Sequence, residues 1–407
     1  MNILIVGGGI GGLAAALSCA KSGHKVVVLE RRAEFTELGA GIQLAPNAFH
    51  ALDRLGVGAE VLELAVQIDR LRLMDGVTDR EITRLEINDD YRNKFGYPYA
   101  VVHRTDLYQP LLTACRNHPN IELRTSCNAT GFCEASDEVI VNLSDGRSIT
   151  AHAVVGADGI RSSIREQIVG DGLPKVCGHT IYRSVIPMAE VPDSLRSNDV
   201  TLWAGPKWHF VRYPIAGGEF MNMAAIRDDL ATSAVSGEDV ATETVQGQFH
   251  FLIGDAKRLL SQGRGWKKWV LCDRDPVDGW TKGRVALLGD AAHPMLQYAA
   301  QGACMALEDA VALGVLLEDA TPLNVCSRLV KYNEQRCRRT SEVTRIARRM
   351  GEEIYHVAGE NAEKRNANLM GLNQGSVREK LTWLHGFNAP FLEKGIVEAA
   401  KKVATIA

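Results

Sequence analysis

The chain has 407 residues, 46% of them hydrophobic, and its 46 Lys and Arg face 49 Asp and Glu for a formal net charge of −3. That length predicts two or three domains, or one large composite unit with a sizeable core. The balanced charge and ordinary composition exclude a nucleic-acid binder, a polybasic membrane anchor, a disordered chain, collagen and a disulfide miniprotein.

Met1 leads without a basic stretch into the β-branched run Ile3–Val6, so no signal peptide is expected. A glycine cluster follows, then Leu13–Leu17 with helical composition, a stop at Gly23, and a second buried strand at Val26–Leu29. This β-turn-α-β order is the unit of a parallel, doubly wound sheet. Thr105–Asn117 reads as a helix, with Asp106 in its first turn. Glu138–Leu143 and Ser148–Val155 read as strands across the turn Ser144-Asp145-Gly146-Arg147, and Arg161–Val169 as a short helix. After Gly172 the texture changes. Thr180–Ile186, Val200–Trp203, His209–Tyr213 and Glu219–Ile226 are β-rich, punctuated by Pro206, Pro214, Gly217 and Gly218. They predict an inserted antiparallel sheet with one face toward a ligand.

Val285–Leu288 again resembles a buried parallel strand, and Met305–Leu317 and Val325–Met350 read as helices. The last ~55 residues are helical in composition, with Trp383 and Phe387 as apolar landmarks. The most apolar long window, Ala299–Leu317, carries Gln301, Glu308 and Asp309, so no membrane span is expected. Arg328, Arg336, Arg338, Arg339, Arg345, Arg348 and Arg349 read as a solvated helix face paired with carboxylates. The nine cysteines are scattered, with no C-x-x-C pair, which predicts reduced thiols in a cytoplasmic protein and no metal site.

The fold class is therefore α/β: a discontinuous, Rossmann-like dinucleotide domain interrupted by a mainly antiparallel β domain, with a C-terminal helical region. The expected boundaries are 1–172 for the first part, with some strands of the inserted domain near 66–102. The inserted sheet spans 173–275, the second part with the long helix 276–350, and the helical segment 351–407.

Three motifs carry chemistry. Gly7, Gly9 and Gly12 satisfy G-x-G-x-x-G between a strand and a helix, and Glu30 ends the second strand. The glycines allow a tight turn, close approach to a pyrophosphate and close helix–strand packing, while an acidic strand end accepts ribose hydroxyls. This cradle alone does not separate NAD from FAD. Gly156-Ala157-Asp158-Gly159 sits at a second strand-to-helix turn, where Asp158 is also a natural helix cap. Gly289-Asp290-Ala291-Ala292-His293-Pro294 sits at a third, where a carboxylate can hold a polyol.

In that order and spacing, the three blocks resemble the class A flavoprotein aromatic hydroxylases, the single-component FAD monooxygenases, over nearly the whole chain. The resemblance implies the FAD fold of the glutathione-reductase and p-hydroxybenzoate-hydroxylase type, with tightly bound FAD, NADH as co-substrate and O2. It implies that Asp158 contributes to both FAD and NAD(P)H handling and that Asp290 contacts the ribityl chain. Pro294, Gly302 and Ala303 would lie around the helix start near the flavin ring. Gly41 and Gln43, in Gly39-Ala40-Gly41-Ile42-Gln43, match the loop along the flavin; Arg104, in His103-Arg104-Thr105-Asp106-Leu107, matches the R-x-x-L segment that reaches the cofactor. Arg31, beside Glu30, falls in the same FAD-binding region.

The stretches Trp208–Pro214, Gly217-Gly218-Glu219 and Leu296-Gln297-Tyr298 extend the resemblance to the catalytic pocket. They imply that His209 acts on a substrate phenol, that Gln297 positions the phenol or the oxygenated flavin, and that Tyr213 lines the pocket. Strand alternation puts His209, Val211 and Tyr213 on one face and Trp208, Phe210 and Arg212 on the other. An imidazole with an ordinary pKa of ~6.5 suits a base near neutral pH. The implied reaction converts 3-hydroxybenzoate to 2,5-dihydroxybenzoate (gentisate) through a flavin C4a-hydroperoxide. Alternatives are salicylate 1-hydroxylation, hydroxylation of 6-hydroxynicotinate, a non-oxygenating flavin reductase, and a non-catalytic FAD- or NAD-binding regulator. The expected partner is a small aromatic hydroxy acid, with no nucleic acid and no membrane span, in a homodimer. His293 is expected to be structural in its turn, and Gln301 to begin a helix.

Overall fold

A computed structural model describes residues 1–37, 39 and 41–388. Ala40 and the part of the C-terminal helical expectation beyond residue 388 lie outside the described residues.

The run Asn2–Val6 lies inside a six-stranded sheet. The order is Thr281–Lys282, Val285–Leu287, Ala153–Gly156, Asn2–Val6, Lys25–Leu29 and Ile121–Arg124. All pairs are parallel except the edge hairpin 281–287. A parallel sheet is covered on both faces, which explains why its strands are nearly unbroken apolar runs. Two buried helices, Ile10–Lys21 and Gly302–Leu317, pack against each other over this sheet.

The structure corrects one element. Ser148–Val155 is two strands in two sheets, separated at His152. Ser148–Ala151 belongs to a three-stranded antiparallel sheet with Ala129–Glu134 and Val139–Leu143, whereas Ala153–Gly156 joins the parallel sheet. Burial explains the break: the first half is mostly exposed or half-buried and the second is buried throughout.

The β-rich middle forms an eight-stranded sheet in the order Ser236–Asp239, Lys267–Asp273, Lys175–Pro187, Phe220–Ala231, Trp208–Ile215, Asp199–Gly205, Arg70–Asp75 and Glu81–Glu86. All its pairs are antiparallel except Asp199–Gly205 with Arg70–Asp75. A small sheet of Gly41–Leu44, Ala100–His103 and Val66–Gln67 meets the eight-stranded one where Ala100–His103 contacts Trp208–Ile215.

The helix Val325–Arg349 departs from the expected solvated face. Arg348 does pair with Asp273 and Asp275, and Arg345 and Arg349 with Glu342. Arg336 and Arg339, however, are fully buried against Glu308 and Asp309 of the neighbouring helix. A charge run near the core is buried when the facing element supplies matched carboxylates. A widened, π-type helical turn at Met350–Tyr355 follows, then the helices Gly359–Met370 and Gln374–His385. Among the described residues, no helix is long and apolar enough to cross a membrane. All nine cysteines are unpaired thiols.

Candidate active site

A cavity of about 680 Å³ runs from the glycine turn to one face of the eight-stranded sheet. Of the residues singled out in the sequence, it gathers Gly9, Gly41, Gln43, Arg104, His209, Tyr213, Asp290, Gln297, Gly302 and Ala303. Gly7, Gly12, Glu30, Arg31, Asp158 and Pro294 do not line it.

At the turn end, two glycines answer different demands. A Cβ on Gly12 would lie 1.9 Å from the Gly7 carbonyl oxygen, so packing of helix on strand requires glycine there. Gly9 has ordinary extended backbone (φ −76°), and a Cβ on it would meet no protein atom within 4 Å. Neither conformation nor packing within the chain demands glycine at position 9; a group that approaches the backbone does. Glu30 stands beside this turn, accepting from the Gly8 N–H at 3.0 Å and the Arg32 N–H at 2.9 Å. Arg31 is exposed. Two helix N-termini, at Ile10 and Gly302, open onto the cavity and favour negative charge there. The residues present therefore fit a dinucleotide carrying phosphate and ribose groups.

Gly9→Ala is expected to leave the thermal transition within a few degrees of wild type while weakening retention of the bound dinucleotide. Gly12→Ala is expected to lower both. Calorimetry together with ultrafiltration of released cofactor checks the contrast.

Asp158 supports the start of the helix that Ser162 caps through the Arg165 N–H at 2.8 Å. Its Oδ2 accepts from the Ser163 N–H at 2.8 Å and from the Ser163 hydroxyl at 3.2 Å, while its neighbours Ala157 and Gly159 face the cavity. Pro294 lines a separate small cleft with Trp280 and Thr340. The preceding His293 is structural: its Nε2 lies 2.5 Å from Asp309 Oδ2, which also accepts from the Gly289 N–H at 3.1 Å. That bond anchors the turn and leaves exposed Asp290 at the cavity. Arg104 is ion-paired with Glu37. Gln301 is buried and accepts from Asn47 Nδ2 at 2.9 Å.

At the sheet end, register sets the geometry. Val211 lies opposite both Leu202 and Ala224, and Ala224 lies opposite Arg183. His209 and Tyr213 flank Val211 on the same face, two residues to either side. The Tyr213 hydroxyl donates to the Gly41 carbonyl at 3.0 Å, tying the sheet to the loop beside the cavity. Tyr99 donates to Gln43 Oε1 at 2.7 Å. Gln297 Oε1 accepts from Arg183.

His209 sits in an aromatic cage. Its Nδ1 is 2.8 Å from His356 Nε2, and its ring lies 5.2 Å from that of Tyr298 and 5.1 Å from that of Tyr355. His179 Nδ1 in turn is 2.6 Å from the Tyr298 hydroxyl. With Nδ1 engaged by His356, Nε2 is the nitrogen left to meet a substrate. Burial, reinforced by His356 and His179, pushes the His209 imidazole well below its usual pKa. Burial likewise pushes His356 down to about 4. His209 is therefore neutral around pH 7, an acceptor rather than a cation.

His356, His179, Tyr355 and Arg183 were not singled out by motif. Only Arg183 left a signal: a charge inside the β-rich run Thr180–Ile186, on the same strand face as Ile181 and Val185. Leu369, Leu372, Val377, Leu381 and Leu384, from the two last described helices and the turn between them, line the cavity as an apolar wall.

Comparison with known proteins adds a family. A family model described as an FAD binding domain matches residues 1–347. The chain is 44% identical over 385 residues to 3-hydroxybenzoate 6-hydroxylase 1 of Aquipseudomonas alcaligenes, covering 95% of this chain and 97% of that one. It is 41% identical over 387 residues to the 3-hydroxybenzoate 6-hydroxylase of Klebsiella oxytoca, covering 95% and 97%. Among solved structures, Klebsiella pneumoniae HpxO, complexed with FAD and uric acid, superposes with a TM-score of 0.82 at 22% identity, covering 93% of this chain and 95% of that one.

Proposed function

Since the chain belongs to the FAD-binding-domain family, we propose that it is an FAD-dependent, NADH-consuming monooxygenase that hydroxylates 3-hydroxybenzoate para to its phenol, giving 2,5-dihydroxybenzoate. One observation carries this reading: a single cavity joins the dinucleotide cradle to His209, Tyr213 and Gln297.

Gly9, the helix starts at Ile10 and Gly302, and Asp290 would hold the phosphates and polyol of FAD, with Glu30 on its ribose. Gly41, Gln43 and Ala303 would border its ring system. Bound FAD supplies hydride acceptance from NADH and activation of O2. The protein's own part is orientation, proton handling and exclusion of water. Hydroxylation by an electrophilic oxygen needs an electron-rich ring, and sharing the phenolic proton raises electron density ortho and para to the oxygen. Neutral His209 accepts that proton at Nε2, and its Nδ1 contact with His356 fixes the ring. Full transfer would place a cation among Tyr298 and Tyr355, so burial favours a shared proton over a free imidazolium. Tyr213, bonded to Gly41, and Gln297, bonded to Arg183, position the ring against the cofactor edge. The apolar wall from Leu369 to Leu384 keeps water from the reacting oxygen.

The nine unpaired thiols support placement in the cytoplasm. The homodimer rests on the family resemblance alone. Oxygen consumption with NADH across a panel of hydroxybenzoates, with chromatographic identification of products, tests the proposal. Stoichiometric gentisate from 3-hydroxybenzoate is expected. Catechol from salicylate, or NADH oxidation with no hydroxylated product from any acid, would replace it.

A further inference from the structure

Four arginines line the cavity: Arg72, Arg84, Arg104 and Arg183. Three are already matched to carboxylates. Arg72 pairs with Glu81 at 2.7 Å, Arg84 with Glu86 at 2.9 Å, and Arg104 with Glu37. Arg183 has no carboxylate partner among the described residues. Its polar protein contact is with Gln297 Oε1, and its guanidinium lies 5.6 Å from the centre of the Trp269 ring.

Arg183 is half-buried, and a partly desolvated guanidinium without a counter-charge is costly, since arginine does not shed its proton to escape that cost. The missing negative charge must come from what enters the cavity. Gln297 occupies one Nη2 donor, which leaves the rest of the guanidinium fork for a planar anion. Register places that fork well. Arg183 stands two strands across from Val211, about 10 Å away at the usual strand spacing, and Val211 lies between His209 and Tyr213. An extended arginine and a benzoate ring together bridge that gap. The anion then rests at Arg183 while a meta hydroxyl reaches the imidazole.

We propose that Arg183 is the carboxylate anchor of the substrate, the residue that makes this cavity select aromatic acids over their neutral counterparts. This deepens the hydroxybenzoate assignment and rests on it. No bond is made or broken at Arg183; it sets the pose from which His209 meets the phenol.

The test uses the oxidised FAD holoenzyme without NADH, so that binding is read by the change in flavin absorbance. The probes are 3-hydroxybenzoate and 3-hydroxybenzamide, which keep the same hydroxyl but differ in charge. Arg183→Met is expected to weaken the acid about 10–100-fold, the loss of a charge-assisted pair, and to move the amide by less than about 3-fold. Arg183→Lys should recover part of the loss. Circular dichroism and flavin content establish that both variants are folded and loaded. An equal loss for acid and amide overturns the anchor, because Arg183 would then act on the flavin or the fold. If wild type and Arg183→Met bind the acid alike, the anchor alone fails. If wild type binds neither probe, the hydroxybenzoate assignment fails and the anchor with it.

Discussion

Replacing His209 by alanine is expected to cut formation of hydroxylated product by at least ~10²-fold, the usual contribution of a positioned acid–base group. FAD content and the rate of NADH oxidation in the presence of substrate should change far less. Oxygen would then leave as hydrogen peroxide, so the variant becomes an uncoupled oxidase. The measurement is a paired assay of NADH loss and gentisate yield, with catalase to report peroxide. The reason lies in the cage: His209 Nδ1 is spent on His356, so alanine removes the one imidazole edge aimed at the phenol and leaves the cradle at Gly9 and Glu30 untouched. Coupled hydroxylation at the wild-type rate would remove His209 from the mechanism. His209→Gln should not restore the rate, because an amide accepts a hydrogen bond but does not take up a proton.

The largest expected loss of stability comes from Glu308→Ala. Glu308 is fully buried, accepts from Arg339 at 2.7 and 2.8 Å and from Asn47 at 2.7 Å, and contacts Arg336 at 2.8 Å. Removing it strips the buried Arg339 of its carboxylate and leaves Arg336 with Asp309 alone, at a cost of about 3–5 kcal/mol. A fall in Tm of about 3–6 °C should follow in calorimetry. An unchanged Tm would show that water or rearrangement compensates the arginines.

The same cluster sets an acid limit. Burial pushes the Asp309 carboxyl up, but His293 and Arg336 beside it draw it down to about 2. Burial is likewise overcome at Glu308 by Arg339 and Arg336, which hold it below the usual carboxylate range. A depressed carboxyl contributes stability that is present above its unfolded value, about 4, and is lost as pH falls through the folded one. Wild type should therefore lose this contribution progressively below about pH 4, and Glu308→Gln should show a shallower acid decline.

Much of the architecture was legible from periodicity. The β-α-β start, the four strands of the inserted sheet and the return at Val285 are local patterns, and local patterns survive in a sequence. The single strand expected at Ser148–Val155 failed because one run of suitable residues serves two sheets, a distinction made by burial rather than propensity. Arg336 and Arg339 were misplaced because their partners, Glu308 and Asp309, sit on another helix. In the cavity, residues inside contiguous motifs were found: His209, Tyr213 and Gln297 lie in stretches resembling a known family. His356 was invisible because it owes its place to a widened helical turn after Arg349, which no spacing rule anticipates. Asp158 and Pro294 show the converse. Both lie in motifs yet do not line the cavity, whereas Ala157, Gly159 and Met295 beside them do.

The apolar wall of the cavity comes from Gly359–Met370, Gln374–His385 and the turn between them, beyond the stretch matched by the family model. Substitutions in this wall are expected to change which aromatic compound fits, while the nucleotide grip at Gly9 and Glu30 stays as it is.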